Sequence, residues 1–250
     1  MTRKRTSGFT LIELLVVMAI IAILGALVAA GIMSWTSGQA RRNSEAHIRS
    51  VYMAVMRQWD AVISDAKKES LPAGVTDRNT WIRMRLIEAF PATFAEVTTG
   101  YGAAGQLTLI PAARRKYMAN YQKAIGTLTA RPSESAACLY LAMSLDRSGS
   151  GYNIDSLKAF IKDSNGDKLN EFVDGWGQPL YFYRFASSTE LTASRPPNVT
   201  YLDATVPVLL SAGADGLLGH NLPTIAVPQQ DLSITNLKDA DDNLYSFKLK

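Results

Sequence analysis

Between Leu14 and Met33 the chain runs for about 20 residues without a charge, the length an α-helix needs to cross the hydrocarbon core of a bilayer. This segment makes the protein an exported, membrane-handled one. Arg3, Lys4 and Arg5 stand just before it and are expected to stay on the cytoplasmic side. An ordinary secretory signal also joins a basic start to an apolar core, but its core is shorter and its small-residue cleavage site follows that core.

Here the expected cleavage point precedes the core. Gly8, then Phe9, then Glu13 within GFTLIELLVVMAIIAIL resemble the class III signal of type IV prepilins and type II secretion pseudopilins. The resemblance implies cutting after Gly8 by a prepilin peptidase, N-methylation of Phe9 as the new amino terminus, and retention of the whole apolar helix. A carboxylate inside an apolar segment costs on the order of 2.5 kcal/mol unless it is paired or neutralised. In the family, the partner of the residue matching Glu13 is the amino group of the residue matching Phe9 on an adjacent subunit, so that helices stack in register. The alternative for Glu13 is a glutamate at the headgroup level of a plain anchor, reaching out to water.

The net charge of +4 comes from 26 basic and 22 acidic residues, and three of the basic ones belong to the leader. The remainder is nearly neutral, so the sequence pI of about 9.1 does not point to nucleic acid, which requires a clustered basic face. Arg114, Arg115 and Lys116 form the one tight basic run beyond the start and read as a solvated helix face. Cys138 has no partner cysteine and sits in an apolar stretch, which excludes an intramolecular disulfide and points to the core.

After the apolar segment, Ile48, Val51, Tyr52, Val55, Met56, Trp59, Val62 and Ile63 recur at three- and four-residue intervals, the pattern of an amphipathic helix with a globular partner. Arg41, Arg42, Glu45, Arg49, Arg57, Lys67 and Lys68 fill the remaining face, and Leu71-Pro72 supplies a stop. One helix from Phe9 to Ser70 is expected, about 90 Å long at 1.5 Å per residue. Gly25, Gly31 and Thr36-Ser37-Gly38 are places where it could bend. Residues 72–151 are expected to add helices near Asn79–Phe90, Pro111–Leu128 and Ser133–Arg147, with Ser133 as a cap and Ser148–Gly151 as a linker. Gly100, Gly102 and Gly105 have dinucleotide-binding spacing, but a strand-like Gln106–Ile110 follows where that fingerprint needs a helix amino terminus. This stretch reads as a loop.

Asp163, Asn165 and Asp167, followed by Glu171 and Asp174, place oxygen ligands at a spacing that suits calcium. Position 6 of an EF-hand count is Lys168 rather than glycine and position 12 is Asp174 rather than glutamate, so an Asx-rich turn is the competing reading. The next residues, Asp174-Gly175-Trp176-Gly177-Gln178-Pro179, resemble the D-x-W-G-x-P signature of the major pseudopilin. Ser211-Ala212-Gly213-Ala214-Asp215-Gly216 is similar to the S-x-G-A-D-G loop of the same family. The resemblance implies calcium held by Asp215 with the later Asp239, Asp241 and Asp242. The interval from Asp215 to Asp239 is longer than the family's and holds Pro223 and Pro228.

His47 and His220 are too few for the usual zinc sites, and no serine sits in a nucleophile-elbow context, so the chain is not expected to be an enzyme. The fold expected is α+β: a long amino-terminal helix packed on a small C-terminal antiparallel sheet, with an inserted helical region. The divisions are a leader over 1–8, a transmembrane and filament-core helix over 9–36, an amphipathic half over 37–71, a helical insertion over 72–151 and a β-rich region over 152–250. The resemblance implies a subunit of a type II secretion pseudopilus, anchored by one pass in the inner membrane with its C-terminal domain outside the cytoplasm. Its implied partners are other pseudopilin subunits, the prepilin peptidase, an assembly platform and ATPase, and the lipid bilayer, with no nucleic acid. A type IV pilus subunit and a single-pass anchored binding module are the alternatives.

Overall fold

The computed structural model describes residues 11–94, 96, 123, 125–126, 132–144, 154–187, 207–220, 230–231 and 235–249. The chain divides into two units, residues 1–40 and residues 41–250. Helix α1, Leu11–Lys68, is 58 residues long and begins in the first unit. There, every described side chain from Leu11 to Val28 is exposed. The mean hydropathy of that stretch is 2.9, so it has the length and composition of a membrane span.

The second unit is built on the buried stripe of α1. Ile48, Val51, Val55, Trp59 and Val62 are buried at the spacing expected, and Ala54 and Ala66 let neighbouring elements approach closely. The helix ends before Leu71-Pro72, and its last turn is closed from outside. The Arg78 guanidinium donates to the Ala66 carbonyl at 3.0 Å and also reaches the Glu69 carbonyl, two acceptors near the helix end where carbonyls lack intrahelical partners. Helix α2, Arg78–Ala89, starts at an Asp77 cap whose carboxylate accepts from the Thr80 amide at 2.7 Å. That exposed carboxyl is held below its ordinary range first by the Thr80 amide.

Helix α3, Glu134–Ser144, is buried along most of its length. Cys138 is fully buried within it, and burial pushes the thiol well above its ordinary range. The Ser133 carbonyl accepts from the Ala136 and Ala137 amides. Ser133 thus occupies the expected cap position, and its hydroxyl also accepts from Asn165 Nδ2 at 2.9 Å. A 3-10 helix, Ile154–Phe160, leads into β1, Ile161–Lys162, which pairs antiparallel with β2, Glu171–Phe172. The main sheet has the order β3-β5-β7, from Tyr181–Tyr183, Val208–Ser211 and Leu244–Tyr245, and is antiparallel throughout. Two further strands, β4 at Ala186–Ser187 and β6 at Gln230–Asp231, make a short parallel pair.

These elements confirm the α+β architecture. Alternate residues of β3 and β5 enter different clusters, as the two-residue period of a strand requires. Phe182 and Leu209 join the core with α1, α2 and α3, whereas Tyr181, Tyr183, Val208 and Leu210 pack with Tyr245. Trp59 of α1 meets Phe90 at 5.2 Å and Phe185 at 6.1 Å between ring centroids, and Phe90 meets Phe182 at 6.2 Å. The helices between 72 and 151 therefore share one core with the sheet. The expected helix over 111–128 falls mostly outside the described residues, as do the 100–110 glycine loop, Arg114 to Lys116 and the Ser148–Gly151 linker.

Candidate functional site

Gly8 and Phe9, the expected processing residues, lie outside the described residues. Glu13 lies in the first turn of α1 and is exposed. Unpaired amides at a helix amino terminus favour a carboxylate there, which lowers the cost of Glu13 at this position relative to the middle of the span. Large side chains around it stand open, with Leu11 at 83% and Leu14 at 62% exposure. A run of this kind demands lipid or other apolar helices around it, because leaving it in water forfeits the hydrophobic gain of burial.

The Asp163–Asp174 segment is a turn whose carboxylates accept from nearby N–H and O–H groups. Asp163 takes the Gly166, Asp167 and Lys168 amides at 2.7, 3.1 and 3.0 Å. Desolvation raises the Asp163 carboxyl, but the Lys168, Gly166 and Asp167 amides outweigh it and leave it below the ordinary range. Lys168 adopts φ of 73°, the left-handed conformation usually given to glycine, at the place where a calcium loop would put its glycine. Asn165 Oδ1 takes the Asp167 amide, and Asp167 Oδ1 takes that of Leu169. Glu171 is fully buried and accepts from the Ser164 amide and hydroxyl and from Asn165 Nδ2. Desolvation raises its pKa.

Asp174 belongs to a different structure. Its Oδ1 accepts from the Trp176 and Gln178 amides, both at 2.9 Å, and its Oδ2 accepts from the Ser211 hydroxyl at 2.6 Å. The Gly175 amide donates to Ser44 Oγ on α1, and His47 Nδ1 lies 3.2 Å from the Val173 carbonyl. The D-x-W-G-x-P turn thus ties helix α1 to strand β5. Burial raises the Asp174 carboxyl above its ordinary range despite these donors.

The loop 212–219 and the turn 235–242 meet through the backbone. Asp242 Oδ2 accepts from the Ala214 and Asp215 amides at 2.6 and 3.3 Å, and the Gly219 carbonyl accepts from the Thr235 and Asn236 amides. Gly213 is required here, since φ is 74° and a Cβ would overlap the Asp242 carboxylate. Asp215 caps the Leu217 amide, Asp239 accepts from Asn236 Nδ2, and Asp241 is exposed. Asp242 Oδ1 and Asn243 Oδ1 are buried without a hydrogen-bond partner. Among the described residues, no group of three or more His, Cys, Asp and Glu side chains is arranged to hold a metal ion.

His220 is buried beside Tyr245, with Nε2 2.7 Å from the phenol oxygen. His47 stacks on Phe160 with ring centroids 4.1 Å apart. Both histidines are thus engaged in packing. The buried ion pair between Arg184 and Glu96, at 2.7 Å, is a feature that sequence reasoning missed, because its partners come from distant segments with no shared motif.

Residues 3–29 match the family described as the prokaryotic N-terminal methylation motif. No curated protein and no solved structure matches the chain.

Proposed function

Because the chain carries the N-terminal methylation motif, the signature of type IV pilins and pseudopilins, we propose that it is a filament subunit processed between Gly8 and Phe9. The observation that carries this reading is the matched motif running into an apolar helix whose described side chains are open from Leu11 to Val28. Filament packing gives such a helix apolar neighbours in place of lipid. The Phe9 amino group of an adjacent subunit offers Glu13 a positive partner, which offsets the cost of a carboxylate in an apolar core. The resemblance of Asp174–Pro179 and Ser211–Gly216 to the major pseudopilin favours a type II secretion pseudopilus over a surface pilus. The anchored subunit would then await assembly in the inner membrane with its β-rich region in the periplasm.

The test is the mass and amino-terminal sequence of the chain from membranes of cells with active prepilin peptidase. N-methylated Phe9 at the start supports the reading, whereas an intact Met1 or cleavage beyond the apolar segment defeats it. The Glu13→Val chain should insert stably and fail to form filaments.

Calcium is proposed at the second loop pair. Asp242 Oδ1 and Asn243 Oδ1 are buried oxygens lacking donors, and a hard cation takes oxygen ligands. Asp215, Asp239 and Asp241 are the further ligands the resemblance suggests. The ion would bind the loop and the turn together. Calcium should raise the thermal midpoint of the chain, and Asp242→Ala should abolish that rise; an unchanged midpoint with calcium counts against the site.

A further inference from the structure

The second half of α1 carries a row of exposed residues, Arg42, Ala46, Arg49, Met53 and Arg57. Steps of three and four residues place them on one side of the helix. Ile48, Val51, Val55 and Trp59 occupy the buried side, so the row faces away from the core. Three guanidinium groups stand here against two carboxylates, Glu45, which pairs with Arg41 at 3.4 Å, and Asp60 at the far end, and Met53 keeps 53% of its surface open among them.

The same unit carries a surface of opposite character. The 212–219 loop and the 235–242 turn, joined by the Ala214–Asp242 and Gly219–Thr235 hydrogen bonds, present exposed Asp215 and Asp241 beside Asp239 and Asp242. Leu217 and Leu237 stand among them at 51% and 74% exposure. Lys238 is the one lysine or arginine between Asp215 and Asp242 among the described residues, and His220 is buried.

We propose that the Arg42, Arg49, Met53 and Arg57 row of one subunit docks on the Asp215, Leu217, Leu237 and Asp241 surface of the next copy. This inference rests on the filament reading, which supplies identical copies. Two different surfaces of one chain meet, so the contact is heterologous and can repeat without closing into a dimer. Opposite charges steer the approach and set the register. Met53 against the two leucines removes apolar surface from water on both partners. A calcium ion in the loops does not reverse the sign, because four aspartates outweigh the ion and Lys238 together.

The experiment uses the full chain in cells that process and assemble it. Met53→Cys and Leu237→Cys are introduced together and oxidised; the native Cys138 is fully buried and does not compete. The expected result is a ladder of cross-linked multimers that neither single cysteine produces. In parallel, Arg49→Glu alone should lower filament yield by at least about tenfold through like-charge contact, and adding Leu237→Arg, which gives the new carboxylate a partner without touching a proposed calcium ligand, should restore most of it. Processing after Gly8 and protease resistance of the variants report that each is made and folded. Filaments without a ladder, or a double variant no better than Arg49→Glu alone, overturn the docking surface and leave the filament reading standing. Failure of the unsubstituted, processed chain to form any filament overturns both.

Discussion

Arg184 and Glu96 are fully or almost fully buried, and the guanidinium makes two bonds to the carboxylate at 2.8 and 2.7 Å while also donating to the Phe90 carbonyl. Glu96→Ala leaves a buried guanidinium without its counter-charge and should destabilise the domain by about 3–5 kcal/mol. An apolar replacement of both partners should recover most of that loss in chemical denaturation. The carboxyls of Glu171 and Asp174 behave differently, since burial raises both in the folded state. A raised folded pKa contributes stability that is complete below the ordinary carboxylate value and is lost as pH rises through the folded value. Between pH 4 and 7, Asp174→Asn should therefore flatten the fall of the urea midpoint with rising pH; an unaltered slope refutes the assignment.

Elements with strong local signals were legible in the residues. The stripe from Ile48 to Ile63 announced the second half of α1, and Asn79–Phe90 differs by one residue at each end from the observed Arg78–Ala89. Two-residue strands such as β1 and β4 were not legible, because so short a pairing is set by what lies across it and leaves no period to read. The D-x-W-G-x-P turn was visible, but its role as a clasp from Ser44 to Ser211 needs partners 131 and 37 residues away. The methylation motif over residues 3–29 could be read because it is contiguous. Arg78 escaped notice for the opposite reason, since it caps the preceding helix from across a turn. Arg78→Ala removes a charged donor from the Ala66 and Glu69 carbonyls and should cost about 1.5–3 kcal/mol. Arg78→Lys should recover only part of it, with fraying at α1's end followed by amide hydrogen exchange.

At the scale of the molecule, the fully buried apolar side chains among the described residues begin with Ile48, and residues 41–250 form a unit of their own. The chain therefore separates an apolar segment, whose open side chains need an apolar environment, from a unit that has already buried its apolar stripe. Folding of the second unit then draws on residues other than those of the apolar segment. A chain starting at Arg41 keeps Ser44, His47 and the whole Trp59 cluster, so it should unfold in one cooperative thermal transition. Removing residues as far as Trp59 instead takes away Ile48, Val51 and Val55 from the core and should abolish that transition, since each large-to-small loss in a core costs about 2–5 kcal/mol against a net stability of about 5–15 kcal/mol. Melting without cooperativity in the chain cut at Arg41 would show that the apolar segment takes part in the fold itself.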